Sequence, residues 1–195
     1  ITVALLARRA TPITDDSWLH ALHSARERLG IRRAVRLLAV RGNTTPMTFG
    51  LFTSTIVLPE DALGWSAARQ RIVLLHELAH VGRRDVLVQL IAQAACATYW
   101  FHPLAWYAAR CLRIEREHAC DDTVVTAGER PSEYATHLLA VARAYRTTGA
   151  LQPGALAMAR PSQLEGRLLA VLATGVRRGR VTRQRVLLAG AIATA

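Results

Sequence analysis

The chain has 195 residues, of which 51% are hydrophobic and 20% charged, and its formal net charge at pH 7 is +11. This length is enough for one good-sized core. The three cysteines lack CxxC spacing, which argues against a disulfide framework or a structural zinc ribbon. Every basic residue is an arginine. The positive charge therefore has three candidate explanations: binding to nucleic acid, binding to anionic lipid, or a genome biased toward arginine codons.

Both ends of the chain are apolar, with the sequences ITVALLARRA and VLLAGAIATA, and their arginines lie on the inner side. Each run is shorter than the roughly 20 residues of a membrane span. The positive-inside rule favours a cytoplasmic domain between two membrane segments. We therefore expect the end of a transmembrane helix at 1–9, one domain at 10–175, a basic juxtamembrane linker at 176–185 and the start of a transmembrane helix at 186–195. Two frayed ends of a soluble domain are the alternative.

The first third of the chain predicts one helix and a small sheet. Asp15 to Gly30 has helical apolar spacing, with Gly30 as its stop. Ala34 to Val40 favours a strand, and Met47 to Leu58 reads as a second strand region. Within the second region, Gly50 indicates a bulge or a close backbone approach.

From Pro59 onward the pattern is helical. The predicted helices run from Asp61 or Ser66 to Val81, from a cap at Asp85 to Phe101, from Pro103 to about Ala127, from Pro131 to about Arg146, and from Gln163 to Ala173. The uncharged stretch 86–109 contains two glutamines and a helix-interrupting proline, which favours a buried or membrane-apposed hairpin over a span. The fold class is therefore α+β and mainly helical, with a small β-sheet.

The stretch LLHELAHVGRRD places two histidines four residues apart. On a helix, His76 and His80 share one face and can direct two imidazoles at one metal ion. Glu77 then lies where it can take a proton from the attacking water of a zinc hydrolase. The alternative is an ordinary helix with partly exposed histidines and a surface glutamate.

A catalytic zinc needs a third protein ligand, and the downstream segment IEREHACDD supplies candidates. Glu117 and Asp121 share a helix face, so Glu117 can be the ligand while Asp121 accepts the outer N–H of a ligand histidine. The 36 residues between His80 and Glu117 suffice for one helix out and one back. Two rivals stay open: a Glu115–His118 metal pair, and Cys120, which helix geometry favours as a core residue.

At this point the sequence resembles the membrane metallopeptidases that act as β-lactam sensors and antirepressors in methicillin resistance and β-lactamase induction. The resemblance rests on HELAH, RRD, YWFHPLAWYAARCLRIEREHACDD and RPSEYATHLL, with TPMTFGLFTSTIVLPEDA upstream, and it covers about Trp18 to Leu172. It implies a gluzincin-like zinc metallopeptidase domain, flanked by truncated transmembrane segments, at the bacterial plasma (inner) membrane and facing the cytoplasm. It also implies Zn2+ on His76, His80 and Glu117, with Glu77 as general base and Asp121 as the partner that supports the ligands.

In such peptidases an extended substrate pairs with an edge strand beside the zinc helix. We assign this role to the strand that holds Phe49, Gly50 and Leu51, although the segment could be only a sheet edge packed on helices. Tyr134 and His137 are candidates for stabilising the oxyanion, with packed or surface residues as the alternative. The basic segment 177–185 is a candidate for self-cleavage or for a membrane-surface anchor.

The predicted function is a zinc-dependent endopeptidase domain of a bacterial membrane signalling protein. It cleaves a repressor-like regulatory protein and is a candidate for cutting itself. The expected partners are this protein substrate and membrane lipid, without direct nucleic-acid binding; a homodimer is compatible with the sequence. Three alternatives stay open: a quality-control or protein-processing zinc protease, a basic nucleic-acid-binding helical domain, and a zinc-binding but inactive regulatory domain.

Overall fold

The computed structural model describes residues 10–42, 44–148 and 161–173. The segments expected at the membrane, residues 1–9 and 186–195, and the basic linker 176–185 lie outside these ranges. Within them, no helix combines the length and the apolar character needed to cross a bilayer.

A four-stranded mixed sheet forms one side of the domain. Its strands are β1 (Thr11–Pro12), β2 (Val35–Val40), β3 (Met47–Phe49) and β4 (Ser54–Pro59), in the order β1-β2-β4-β3. Strands β2 and β4 are parallel, while β1 and β3 pair antiparallel with their neighbours. Among the described residues, strand β3 pairs only with β4 and is therefore an edge strand.

The predicted second strand region is wrong in one respect, because Met47 to Leu58 forms two antiparallel strands rather than one. The chain reverses at Gly50, which has φ of 97°, and a Cβ at this position would collide with the Thr53 carbonyl. The expected close backbone approach at Gly50 is thus confirmed, and its consequence is a β-hairpin.

The helices follow the predicted order. They are α1 (Asp16–Leu29), α2 (Ala67–Arg83), α3 (Asp85–Thr98), α4 (Pro103–Thr126), α5 (Pro131–Thr148) and α6 (Pro161–Leu172), with a 3₁₀ turn at Glu60–Gly64 before α2. Local caps set two of these boundaries. Asp15 accepts hydrogen bonds at the start of α1, and Ser66 accepts one at the start of α2.

The apolar core lies between the sheet, α1 and α2. Trp18 on α1, Leu74 and Leu78 on α2, and Ile56 on β4 are completely buried together. Because α2 buries nearly every residue from Ile72 to Ala79, its polar side chains in that stretch are enclosed as well. This packing fixes the rotation of the helix that carries the two histidines.

Two ion pairs to one buried glutamate tie three parts of the domain together. Glu129, in the turn between α4 and α5, is 5% exposed. It accepts hydrogen bonds from Arg71 on α2 at 2.6 and 3.1 Å, and one from Arg28 on α1 at 3.3 Å. Because α4 leads into this turn, the network holds the C-terminal end of α4 beside α1 and α2.

Helices α3 and α4 form an antiparallel hairpin joined at residues 99–102. The predicted cap at Asp85 is wrong: Arg84, with φ of 56°, precedes α3 without a side-chain cap, and Asp85 is the first residue of the helix. The Asp85 carboxylate turns inward instead and is only 4% exposed.

Candidate metal centre

The rotation of α2 brings both motif histidines to the inner side of the domain. His76 is 7% exposed, and its ring centroid lies 4.9 Å from that of His80. This is the arrangement expected for residues four apart on a helix. The structure therefore favours the enclosed pair over the alternative of partly exposed surface histidines.

Glu117 comes to the same place from α4. Its Oε2 lies 3.7 Å from Nε2 of His76, and its Oε1 lies 4.0 Å from Nε2 of His80. Two ligands of one tetrahedral zinc are about 3.3 Å apart, because each bond is roughly 2.0–2.2 Å. The three side chains thus form a group with nearly the separation that one zinc ion requires.

The outer nitrogens of both histidines are already engaged. Nδ1 of His80 lies 2.7 Å from the Asp85 carboxylate, and Nδ1 of His76 lies 2.9 Å from the Tyr134 hydroxyl. The Tyr134 hydroxyl donates its own proton to Asp121 at 2.5 Å. Tyr134 must therefore accept from Nδ1–H of His76, and both histidines can present the lone pair of Nε2 to the group.

From the sequence we expected Asp121 to accept a hydrogen bond directly from a ligand histidine. Its Oδ1 is 3.5 Å from Nδ1 of His76, which is too long for a hydrogen bond, and Tyr134 bridges the two residues. Asp121 is instead the partner of Arg167 on α6, which donates two hydrogen bonds of 2.6 and 2.7 Å. The predicted supporting role of Asp121 is thus indirect in this arrangement.

Arg167 was not identified from the sequence, although it contacts two of the acidic residues at the site. Besides its two hydrogen bonds to Asp121, its Nη1 lies 3.5 Å from Oε2 of Glu117. Arg167 is only 6% exposed, so both carboxylates share one buried positive charge. No local pattern singles out this residue, since α6 precedes a segment rich in other arginines.

Two buried atoms at the centre of the group have no hydrogen-bond partner in the part of the chain that the structure describes. They are Nε2 of His76 and Oε2 of Glu117. Buried polar atoms are nearly always satisfied, and these two face each other across the space that a metal would fill. Two imidazole nitrogens and a carboxylate are also a donor set that zinc accepts. The residues present therefore fit a zinc ion.

A second cluster nearby consists of His80, Asp85 and Cys120. Its 2.7 Å separation between Nδ1 of His80 and Asp85 is that of a hydrogen bond and is too short for two ligands of one zinc. Burial, together with the charges on Asp85 and Glu117, raises the pKa of the Cys120 thiol, so it stays protonated. Cys120 is buried, as predicted for a core residue, and packs behind His80.

The rival Glu115–His118 pair is not brought together with other ligands. Glu115 is exposed. Neither residue belongs to either group of potential metal ligands within the described part of the chain. The geometry therefore favours Glu117 as the member of this segment that faces the histidines.

Charges at the site act on one another strongly. Burial alone would raise the pKa of Glu117, but the neighbouring His76, together with the charges of His80 and Arg167, holds this pKa well below its usual range. Burial would lower the pKa of His80, yet the hydrogen bond to Asp85 and the nearby acidic charges raise it. The site is thus built to keep Glu117 ionised beside the histidines.

Glu77 lies beside the three-residue group and is held by the edge strand. Thr48 on β3 donates a hydrogen bond of 2.8 Å to Oε2 of Glu77 and lies 3.3 Å from its backbone carbonyl. Glu77 is 5% exposed and lines a cleft that continues past His76 to Tyr134 and His137 on α5. Thr48 was missed because its contact depends on how β3 packs against α2.

The predicted substrate-binding residues lie at and after the end of β3. Phe49 is its last residue, while Gly50 and Leu51 form part of the turn into β4. The Leu51 carbonyl accepts a hydrogen bond of 2.6 Å from Arg33. Only Phe49 of the three is therefore on the strand that borders Glu77.

Comparison with known proteins identifies the family. A family model described as BlaR1 peptidase M56 matches residues 1–171. The regulatory protein BlaR1 of Bacillus licheniformis is 33% identical over 113 residues, which are 58% of this chain and 19% of that protein. The methicillin resistance mecR1 proteins of Staphylococcus aureus and Staphylococcus epidermidis are 30% identical over 81 residues, or 41% of this chain and 14% of theirs.

The aligned part of this chain spans less than a fifth of the length of these relatives. The family model nevertheless covers most of the chain, including α2, α4 and α5 with the side chains that meet at the site. The chain belongs to the BlaR1 peptidase M56 family, as the sequence motifs predict.

Proposed function

We propose that this chain is the zinc-dependent endopeptidase domain of a bacterial membrane signalling protein. The observation that carries the proposal is the convergence of His76, His80 and Glu117, two of whose buried polar atoms find no partner among the described residues. The outer nitrogens of both histidines are fixed at the same time. Such supporting hydrogen bonds are typical of zinc ligands.

Each residue near this group has a definite role in the proposal. His76, His80 and Glu117 would hold a zinc ion, which would supply a Lewis acid for the scissile carbonyl and the attacking water. Glu77 takes the proton from the attacking water and passes it to the leaving amine. Thr48 holds the Glu77 carboxylate at 2.8 Å, so that this base does not swing away from the cleft.

The substrate in this proposal is an extended peptide that pairs with the edge of β3 that no described strand occupies. This strand ends at Phe49 and borders Glu77 through Thr48, so a peptide added there runs past the general base. Pairing through the backbone is the usual mode of adding a strand to a sheet edge. Gly50 and Leu51 then contact the end of the peptide from the turn.

The names of the relatives indicate a biological target, which we include in the proposal. Those relatives are named as a regulatory protein and as methicillin resistance proteins. We infer that this domain, at the cytoplasmic face of a membrane, cuts a repressor-like regulatory protein and thereby relays a signal. A cut within its own basic linker, residues 176–185, is a second event that the same site can perform.

The test measures zinc content and peptide cleavage in the purified chain and three variants. Glu117→Ala is expected to lose zinc, whereas Glu77→Gln is expected to keep zinc and lose cleavage. Glu115→Ala is the matched control, because this glutamate is on the same helix and is exposed. A fluorogenic peptide library reports cleavage, and mass spectrometry of the chain itself reports self-cutting.

Two results would overturn the proposal. Zinc retained at full stoichiometry in Glu117→Ala would place the third ligand elsewhere, with Cys120 as the next residue to replace. Cleavage that survives in Glu77→Gln would remove the general base from its role and with it the hydrolytic mechanism.

A further inference from the structure

The hairpin of α3 and α4 exposes an unusual set of large apolar side chains. We call residues 86–114 the arm. At its tip, Trp100 is 71% exposed, Phe101 66% and Tyr107 66%, and Leu104, Trp106 and Tyr99 are also more than half exposed. Exposed apolar patches of this kind mark interaction sites in soluble proteins.

The exposed apolar residues do not form a single stripe. On α3, Leu87, Leu90 and Ile91 are exposed together with several alanines, and Cys96 is the only residue of 86–98 that is fully buried. A helix that is apolar on most of its circumference is normally enclosed by protein or by lipid. The described residues enclose little of α3, so its surroundings must come from outside this part of the chain.

The charges of the arm indicate which surroundings these are. Residues 86–114 contain no aspartate or glutamate, whereas Arg110 and Arg113 lie on α4 behind the tip. Ten residues of helix span about 15 Å, so these arginines are on the order of 10–15 Å behind the aromatic residues. Aromatic residues backed by arginines match the acyl boundary and the anionic headgroups of a bilayer.

Several polar groups at the tip also form hydrogen bonds within the tip or with α3, as contact with lipid requires. The Trp106 indole N–H donates to the Trp100 carbonyl at 2.9 Å. The backbone amide of Tyr99 donates to Ala95, and that of His102 donates to Tyr99. Trp100 and Phe101 pack edge to face, with ring centroids 6.0 Å apart. The tip is therefore an ordered apolar wedge.

We propose that the arm docks into the membrane interface, with Trp100, Phe101 and Leu104 below the headgroups and Arg110 and Arg113 at the phosphates. The arm lies in the middle of the sequence, far along the chain from its two apolar ends. Docking of the arm would also hold the candidate metal site at a fixed distance from the membrane surface. The reason is that α3 begins with Asp85, which contacts His80, and α4 carries Glu117.

Tryptophan fluorescence of the full 195-residue chain tests the docking. The protein is mixed with vesicles of phosphatidylcholine and phosphatidylglycerol whose acyl chains carry bromine, a quencher of indole emission. Two of the four tryptophans, Trp100 and Trp106, are on the arm, while Trp18 is completely buried and Trp65 is half-buried in the body. We expect the brominated lipid to quench the wild-type emission. In matched lipid without bromine, we expect that emission to shift to the blue.

The matched variant is Trp100→Phe with Trp106→Phe, which keeps the tip apolar and removes its two indoles. We expect this variant to bind the vesicles but to lose most of the bromine-dependent quenching. A second variant, Trp100→Asp with Phe101→Asp, is expected to lose the blue shift, whereas Leu63→Asp, an exposed apolar site in the body, is expected to retain it.

Three outcomes would overturn the proposal. The first is wild-type emission that bromine leaves unchanged, and the second is quenching that survives in the double phenylalanine variant and so arises from the body. The third is a dimer, seen by light scattering without lipid, that the double aspartate variant abolishes while the wild type shows no quenching. That result would make a second copy of the chain the occupant of the arm.

Discussion

At the scale of single residues, Tyr134 links the ligand histidine His76 to the buried carboxylate of Asp121. It accepts from His76 and donates to Asp121, so one hydroxyl fixes the orientation of a ligand histidine. Tyr134→Phe should lower zinc affinity about 10- to 100-fold, the usual effect of losing an outer hydrogen bond at a metal site. Competition with a chromophoric chelator measures this, with Tyr107→Phe on the exposed arm as the control. Equal affinities in the two variants would contradict the assigned role.

Arg167 and Asp121 form a buried ion pair whose contribution differs from that of an exposed pair. Arg167→Met should destabilise the zinc-free protein by about 3–5 kcal/mol, because it leaves the Asp121 charge buried without its cation. Adding Asp121→Leu should restore part of this loss, since neither charge then remains. Urea unfolding of the single and double variants checks the prediction. If the two losses simply add, the two residues do not act as a pair.

His137 lines the cleft and makes the free energy of unfolding depend on pH. Burial, together with the positive charge of Arg69 and the proximity of His76, lowers the pKa of His137 to about 4. An unfolded histidine, with a pKa of about 6.5, binds its proton more readily, so the free energy of unfolding falls as the pH drops from about 6.5 toward 4. The contribution of His137 is thus fully present above pH 6.5 and is lost below it.

The variant His137→Gln should flatten this part of the pH profile. Urea unfolding of the zinc-free protein at pH 7.5 and pH 4.5, compared between wild type and variant, isolates His137 from the other histidines. An unchanged difference between the two pH values would show that this side chain does not titrate abnormally.

At the scale of secondary-structure elements, the contact between β3 and α2 joins the peptide-binding edge to the general base. Thr48 supplies this contact through its hydroxyl. Thr48→Val keeps the shape of the strand but removes the donor, and a single hydrogen bond of about 1 kcal/mol predicts a roughly five- to tenfold fall in kcat with zinc content unchanged. Thr48→Ser should retain most of the activity. Loss of zinc in Thr48→Val would instead indicate that the strand supports the ligands.

At the scale of the whole molecule, the helices were predictable because their signals are local. Asp15 and Ser66 act as caps, Gly30 ends a helix in the left-handed conformation, and Pro103 begins one, each within a few residues of the boundary it sets. The hairpin at Gly50 was read as one strand because a bulge and a tight reversal have the same sequence signature.

The surroundings of the candidate ligands were only partly predictable. The spacing of His76 and His80 favours one face of one helix. The length of the intervening chain only allows Glu117 to reach them, and the family resemblance is what singles it out from Cys120 and the Glu115–His118 pair. Asp85 was read as a cap because an aspartate before a helix is ordinary, whereas its contact with His80 depends on the turn at Arg84. Tyr134 and Arg167 come from α5 and α6, and no periodicity reports which side chains of distant helices will meet.

Removal of zinc should leave the fold intact. The candidate ligands lie on helices that are positioned by the apolar core, by the Glu129 network and by the Arg167–Asp121 pair, none of which needs a metal. Chelation is therefore expected to leave the far-ultraviolet circular dichroism unchanged. It should lower the free energy of unfolding only by the stabilisation that zinc binding to the folded state adds. This is about 4 kcal/mol when free zinc exceeds its Kd a thousandfold. Glu117→Ala, measured in the same way, should show no zinc-dependent increment. A loss of helical signal on chelation would mean that the metal organises α2 and α4, as structural zinc does in small domains.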